Sequence, residues 1–206
     1  MEEKESSSDR AARIISLLTI APFQIVLYMT FAWVICHDFR EELLLNTFSG
    51  IFFLLIPFIP LLYVAQKEQD KNYSIPIEKR YILFLVQIIT FSCASIFYYF
   101  YPLWRGVNTE ILFIFTVGYT ILMAVSLVIT TGFNFKMSLH MTGAVSSITA
   151  LVIVLGWWLV LLYLFCIPIG WSRIKLQAHK TSQVIIGAIV GILTIFFTYL
   201  GFGYIF

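Results

Sequence analysis

The sequence predicts an all-α integral membrane protein, a bundle of six or seven transmembrane helices, on three observations. Of its 206 residues, 60% are hydrophobic and only 12% are charged, whereas a soluble domain carries about 25% charged residues. Charged residues are absent from five long stretches: 14–36, 48–66, 81–104, 111–135 and 141–172. A spanning helix needs about 20 apolar residues to cross a ~30 Å hydrocarbon core. These stretches therefore predict the spans of one lipid-embedded domain.

The first four stretches each fit one span, and the fifth is long enough to need a break. It contains 32 residues, with Gly156-Trp157-Trp158 near its middle, which suits a turn with indole rings at the membrane interface. We therefore predict two short helices over 139–155 and 157–174, followed by a last span over 184–206. The total is seven spans, or six if the 139–174 region is a single span.

The polar prefix before the first stretch is expected to lie outside the membrane. Residues 1–13 are predicted to be a disordered polar N-terminus, because the prefix contains almost no apolar residues. Residues 14–206 are predicted to form a single transmembrane helical domain. The first stretch follows an acidic prefix and exceeds the apolar core of a signal peptide, so we interpret it as a span.

The positive charges are distributed unequally between the two membrane faces that seven spans define. One face holds eleven lysines and arginines, and the other holds only Arg40 and Arg105. The eleven are Lys4, Arg10, Arg13, Lys67, Lys71, Lys79, Arg80, Lys136, Arg173, Lys175 and Lys180. Because cytosolic loops are enriched in Lys and Arg, a multi-pass protein with a cytosolic N-terminus is expected.

Two histidines, His140 and His179, fall among these cations on the predicted cytosolic face. Phosphate esters are hydrolysed by fixed cations that hold the phosphate oxygens while a nucleophile attacks in line. Arginine suits the clamp because its planar fork matches phosphate oxygens. One neutral imidazole can be the nucleophile and a second can protonate the departing oxygen. The set can carry out phosphoryl chemistry without a metal, and no cofactor is expected.

Segments of the chain resemble the motifs of the type 2 phosphatidic acid phosphatase superfamily, which are integral membrane lipid phosphatases. Its third motif is Ser-Arg, five residues, His, three residues, Asp; here Ser172-Arg173 is followed at the same spacing by His179 and Gln183. Its second motif is Pro-Ser-Gly-His, of which Met137-Ser138-Leu139-His140 keeps the serine and the histidine.

The first motif, Lys, six residues, Arg-Pro, has only an approximate counterpart. Lys71 lies nine residues before Arg80, and Tyr81 replaces the proline. In order and spacing, the resemblance covers residues 67–191.

The resemblance implies a role for each matching residue. His179 would be the nucleophile and His140 the general acid. The phosphate ligands would be Arg173, Ser138 and Arg80, with Lys136 or Lys71 supplying the lysine. Gln183 stands where an aspartate orients and charges the nucleophile. Its amide can accept the imidazole N–H, but it lacks the negative charge that stabilises an imidazolium.

The leading functional hypothesis is a cytosol-facing, metal-independent enzyme that hydrolyses a lipid phosphate or a polyprenyl diphosphate through a phosphohistidine. Membrane lipids are the expected partners, and nucleic acid is not expected. The alternative is a non-catalytic lipid-headgroup-binding or assembly protein with the same fold, because Gln183 replaces the aspartate. A small transporter is a third hypothesis, weakened because nearly every charge lies in a loop rather than near the membrane midplane.

Overall fold

A computed structural model of the chain describes residues 6–19, 22–36, 38–57, 59, 60, 63 and 75–204, which are helical apart from short loops and turns. The helices are α1 (Ser7–Leu18), α2 (Pro22–Ile35), α3 (Phe39–Ser49), α4 (Arg80–Arg105), α5 (Glu110–Gly132), α6 (Leu139–Leu155), α7 (Cys166–Lys175) and α8 (Thr181–Gly201). A π-helical segment, Gly50–Leu55, continues α3, and the 3-10 segments Ile77–Lys79 and Trp157–Phe165 lead into α4 and α7. These residues include no β-strand.

Several of these helices have the length and composition of membrane spans. Within the described residues, four stretches are long and apolar enough to span a membrane: Ile77–Arg105, Glu110–Gly132, Trp157–Lys175 and Thr181–Gly201; α6 is a shorter apolar helix. At this level the prediction of an all-α membrane protein is confirmed. The stretch 14–36 is not one continuous helix, because α1 ends at Leu18 and α2 begins at Pro22, a position where proline is favoured. The stretch 48–66 is described only in part.

The distribution of side chains is that of a protein surrounded by lipid. Leu103 and Trp157 are 76% and 81% exposed, whereas Thr116 and Ser126 are fully buried. Exposed apolar side chains of this size recur along the helices that could span a membrane. A water-exposed surface of this kind would favour aggregation, whereas in lipid it costs little.

The fifth apolar stretch breaks at Gly156, as the sequence predicts. Gly156 has φ +119° and ψ 155°, a combination that an L side chain strongly disfavours. α6 therefore ends at Leu155, and the chain restarts at Trp157 as a 3-10 segment that runs into α7. The two predicted helices are confirmed, and the first half of the second has 3-10 geometry.

Two glycines of α8 allow this helix to approach α6 closely. A Cβ atom on Gly187 would lie 2.9 Å from the Ser138 carbonyl oxygen, and one on Gly191 would lie 2.8 Å from the Thr142 carbonyl oxygen. Small residues four apart are a recurrent packing surface of membrane helices. The close approach holds the first turn of α6 beside the first turns of α8.

The prediction of a disordered N-terminus is corrected for residues 7–13, which form most of α1. The Ser6 side chain caps the helix by accepting a hydrogen bond from the Asp9 amide at 3.2 Å. The Asp9 carboxylate pairs with Lys175 of α7 at 3.3 Å, and Ala12 and Ser16 are buried. A polar composition suggested disorder, but a cap and a packed inner face stabilise a helix. Residues 1–5 lie outside the described part.

Candidate functional site

One end of the bundle gathers the predicted site residues from three separate segments of the chain. They are Arg80 at the start of α4, Lys136 before α6, Ser138 and His140 at its start, Arg173 near the end of α7, and His179 and Gln183 around the start of α8. Backbone bonds hold these places together: the Ser138 amide donates to the Gln183 carbonyl at 3.1 Å. Lys71, the remaining predicted phosphate ligand, lies outside the described residues.

The loop that carries His179 is folded back onto the end of α7. The Arg173 carbonyl accepts hydrogen bonds from the Ala178 amide at 3.1 Å and from the His179 amide at 3.2 Å. Gln177 adopts φ +53° to make the reversal, a conformation uncommon outside glycine. Arg173 therefore fixes the backbone position of His179 in addition to contributing its own guanidinium to the site.

The His179 ring faces two oxygen acceptors through one nitrogen. Nδ1 lies 3.2 Å from the Lys136 carbonyl oxygen and 3.3 Å from Gln183 Oε1. Gln183 Oε1 also accepts a hydrogen bond from the Lys180 amide at 3.0 Å, which fixes the side chain in the first turn of α8. Because both neighbours of Nδ1 accept, Nδ1 carries the ring proton and Nε2 carries the lone pair.

The surroundings of His179 also keep its ring uncharged. Burial, followed by the charges of Arg80, Arg173 and Lys136, lowers the pKa of His179 to about 3, against the opposing effect of the Gln183 hydrogen bond. At neutral pH the imidazole is therefore neutral. A neutral ring with its proton fixed on Nδ1 has a nucleophilic Nε2.

Two arginine side chains are buried at this end, although burying a guanidinium is costly. Arg80 and Arg173 are 3% and 1% exposed. Arg80 donates from Nε to the Ile75 carbonyl at 3.2 Å and from a terminal nitrogen to the Met137 carbonyl at 2.8 Å. Arg173 donates to the Ser16 hydroxyl. Each of these three acceptors is an uncharged oxygen that helps to position its guanidinium.

His140 adds a second imidazole to the same cluster. The His140 ring lies within electrostatic reach of Arg173, His179 and Arg80. It is also hydrogen-bonded to the Ser16 backbone. Its Nε2 atom is buried and has no hydrogen-bond partner among the described residues. A buried nitrogen in this condition is rare and marks a place for a ligand or a water molecule.

Ser138 has a structural role that the sequence did not predict for it. Its hydroxyl caps α6 and accepts a hydrogen bond from the Met141 amide at 3.5 Å, and the side chain is fully buried. If Ser138 binds phosphate as predicted, the phosphate must therefore share this hydroxyl with the helix cap.

Sequence reasoning missed Ser16, which contacts both Arg173 and His140. A single serine within an apolar helix usually returns its hydroxyl to a carbonyl of its own helix, and no spacing rule places α1 beside α7. The carbonyls of Lys136 and Met137 were missed because backbone groups have no sequence signature.

No protein-family model, curated protein or solved structure matches this chain. What the site can do therefore follows from its own residues. Buried guanidiniums can bind an anion, a neutral imidazole can attack it, and a second imidazole can exchange a proton with the departing group.

Proposed function

We propose that this chain is a membrane-embedded, metal-independent phosphatase that hydrolyses a lipid phosphate or a polyprenyl diphosphate through a phosphohistidine. The supporting observation is the environment of His179. Its ring is neutral, and Nδ1 faces two acceptor oxygens. The ring also lies near two buried guanidiniums. The proposal includes membership of the type 2 phosphatidic acid phosphatase superfamily, which rests on the motifs within residues 67–191.

Binding would begin with the phosphate oxygens at Arg80, Arg173 and Lys136. Guanidiniums that are already buried and hydrogen-bonded need little reorganisation when the charge on the oxygens shifts during reaction. Charge–charge attraction is also stronger here than in bulk water, because the surroundings are less polarisable. The cluster is thus suited to an anion with several oxygens, as a phosphate monoester or diphosphate is.

In the first chemical step, His179 Nε2 attacks phosphorus, so that an N–P bond forms and the P–O bond to the lipid group breaks. The departing oxygen takes a proton from His140, which takes up that proton when the phosphate anion binds beside it. The Lys136 carbonyl and Gln183 Oε1 accept hydrogen bonds from the Nδ1–H group while positive charge develops on the ring.

In the second step, water attacks the phosphohistidine and gives a proton to the now neutral His140. The N–P bond breaks, inorganic phosphate leaves, and His179 returns to its neutral form. One water molecule is consumed for each phosphate released. Each histidine ends the cycle in the protonation state in which it began.

The surroundings of the site favour a lipid substrate. The cluster lies at the ends of helices long enough to span a membrane, and the outer faces of these helices are apolar. A phosphate headgroup could reach the cations while its tail stays in lipid. We propose six or seven spans in total, with α2, the α3 region and α6 joining the four long stretches.

We further propose that the site and the N-terminus face the cytosol. The cations placed at the site end are Arg10, Arg13, Lys79, Arg80, Lys136, Arg173, Lys175 and Lys180, and those placed at the far end are Arg40 and Arg105. This is the distribution that the positive-inside rule associates with a cytosolic face. A reporter fused to the N-terminus and active only outside the cytosol would contradict the orientation.

The test of function is phosphate release by the purified protein from a panel of lipid monophosphates and polyprenyl diphosphates in EDTA. We expect turnover in EDTA, and His179→Ala should reduce it by about three orders of magnitude or more. Arg105→Gln, at the far end, is the matched control and should turn over normally. Unchanged turnover in His179→Ala would remove the proposed nucleophile.

The second candidate function is lipid-phosphate binding without catalysis, and Gln183 is the observation that favours it. An amide oxygen orients His179 but cannot stabilise the charge that develops on its ring. Binding of lipid phosphates with no turnover at any pH, in the wild type and in Gln183→Asp alike, would support this function over the phosphatase.

A further inference from the structure

The helix α1 lies outside the segment of motif resemblance, yet one of its side chains reaches the cationic cluster. We infer that Ser16 is a positioning residue that orients the Arg173 guanidinium for phosphate, so that α1 forms one wall of the phosphate site. The inference rests on the proposed function insofar as the ligand is a phosphate. It adds a residue from the N-terminal part of the chain to that site.

The first support is the contact itself. The Ser16 hydroxyl accepts a hydrogen bond from a terminal nitrogen of Arg173, and the two residues are 4% and 1% exposed. A guanidinium has five N–H donors in a rigid planar fork. An acceptor that holds one of them fixes the plane of the fork and therefore the direction of the others.

The second support is the way in which α1 is fixed against α7. Asp9, Ala12 and Ser16 recur at a spacing of three and four residues, which places them on one face of the helix. Asp9 pairs with Lys175 at 3.3 Å, Ala12 is fully buried, and Ser16 meets Arg173. Two polar contacts about two helical turns apart hold the same face of α1 on the same helix, so the position of Ser16 is well defined.

The third support is the central position of Arg173. Its carbonyl binds the backbone amides of Ala178 and His179, so Arg173 fixes the loop that carries the nucleophile. Ser16 fixes the side chain of the same arginine, and the Ser16 backbone hydrogen-bonds to His140. Ser16 thus connects the Arg173 guanidinium to both histidines, directly to His140 and through Arg173 to His179.

The test measures inorganic phosphate binding by calorimetry, and KM and kcat on a lipid monophosphate, with the purified full chain in detergent. Ser16→Ala removes the acceptor. Ser16→Cys keeps nearly the same size but offers only a weak one. Each variant should raise the Kd for phosphate and the KM roughly tenfold, as expected when a hydrogen bond to a charged group is lost. The kcat should change less than about twofold, because the Ser16 backbone contact to His140 is retained.

Two further variants separate positioning from general stability. Ser16→Thr retains the hydroxyl and should keep the phosphate Kd close to the wild-type value. Ser126→Ala removes an equally buried hydroxyl that donates only to the Leu122 carbonyl of its own helix, at 2.6 Å, and should leave the Kd unchanged. If Ser16→Ala does not fold, Ser16→Cys gives the same comparison without a cavity.

The outcomes distinguish this inference from the proposed function. Wild-type turnover with unchanged Kd and KM in both Ser16→Ala and Ser16→Cys would overturn the role of Ser16 and leave the phosphatase intact. Phosphate binding that weakens in both variants, with no turnover by the wild type, would support Ser16 and refute the phosphatase. A wild-type protein that binds no phosphate would refute both.

Discussion

The two ends of the helical bundle hold their arginines in different ways. At the far end, Arg105 pairs with the Glu41 carboxylate, which also accepts a hydrogen bond from Tyr101 at 2.6 Å, and the Arg105 side chain is 48% exposed. These bonds, that of Arg105 first, hold the pKa of Glu41 below its usual range. At the site end, Arg80 and Arg173 are almost completely buried and donate to carbonyl and hydroxyl oxygens.

We propose that this difference separates a structural use of arginine at the far end from a ligand-binding use at the site end. The Arg105–Glu41 pair contains its own counter-charge, and an ion pair with an arginine this exposed contributes little to stability. The buried Arg80 donates instead to the Ile75 and Met137 carbonyl oxygens, which carry no counter-charge. A buried guanidinium is costly without an anion, and we propose that the phosphate of the substrate supplies that anion at the site end.

The largest effect is expected from replacing an arginine at the site end. Arg80→Lys keeps the charge, but an ammonium cannot reproduce the planar fork that joins the Ile75 and Met137 carbonyls. We expect kcat/KM on a lipid phosphate to fall about a hundredfold. Arg105→Lys is the matched control and should leave kcat/KM within about twofold, because Arg105 pairs with Glu41 at the far end and contacts none of the described site residues. Equal losses in both variants would show that the two ends do not differ as described.

Acid should lower the stability of the folded protein through His179, at the site end. With a pKa lowered from 6.5 to about 3, folded His179 stays neutral while the unfolded chain takes up a proton below about pH 6.5. Stability contributed by the neutral ring is therefore lost as the pH falls. Between pH 7.5 and 5 in phosphate-free buffer, wild type should lose about 2 kcal/mol more stability than His179→Asn, measured by unfolding in detergent.

The far end supplies the control for this pH dependence. The lowered pKa of Glu41 keeps its carboxylate ionised throughout that pH range, so stability from this group would be lost only at lower pH. Glu41→Gln should therefore retain the wild-type slope between pH 7.5 and 5. Parallel curves for wild type and His179→Asn would contradict the burial of a neutral imidazole.

A smaller effect should follow from restoring charge beside the nucleophile. Gln183→Asp places a carboxylate near Nδ1 of His179, which raises the pKa of the ring and stabilises the imidazolium formed during reaction. We expect kcat to rise about tenfold. Gln183→Asn has the same shortened side chain without the charge and should not raise kcat. An increase in both variants would mean that side-chain length, not charge, limits the reaction.

The smallest effect is expected from alanine substitutions at the two ends of α8. Gly187 lies at the site end, where a Cβ would meet the Ser138 carbonyl oxygen at 2.9 Å, whereas a Cβ on Gly201 would meet nothing within 4 Å. Gly187→Ala should cost about 1 kcal/mol of stability by separating α6 from α8. Gly201→Ala should be neutral. Thermal unfolding in detergent checks both, and equal unfolding temperatures would show that the close approach is dispensable.

Much of the fold was predictable because charge-free stretches and glycines act locally. Gly156 ends α6 where the sequence predicts, and the candidate span Glu110–Gly132 lies within a few residues of the stretch 111–135. The N-terminal region was less predictable. Its polar residues resemble a disordered tail, and only packing of Ala12 and Ser16 against α7 shows why a helix forms there.

The site was predictable in its side chains and not in its backbone groups. The motif resemblance named His140, His179, Arg80 and Arg173, which the structure brings to one end of the bundle. It could not name the carbonyls of Lys136 and Met137, since every residue has a carbonyl. Ser16 was equally inaccessible, because its contact with Arg173 joins residues 157 positions apart.

The most direct test of the account is whether phosphate becomes bound to His179. Wild-type protein mixed with a lipid phosphate radiolabelled on phosphorus would be denatured in alkali within milliseconds, digested, and examined by mass spectrometry and radiolabel recovery. A phosphohistidine at His179 should give alkali-stable, acid-labile label on the peptide that contains His179, and none in His179→Asn. Normal turnover with no label on that peptide, or equal label in His179→Asn, would contradict it.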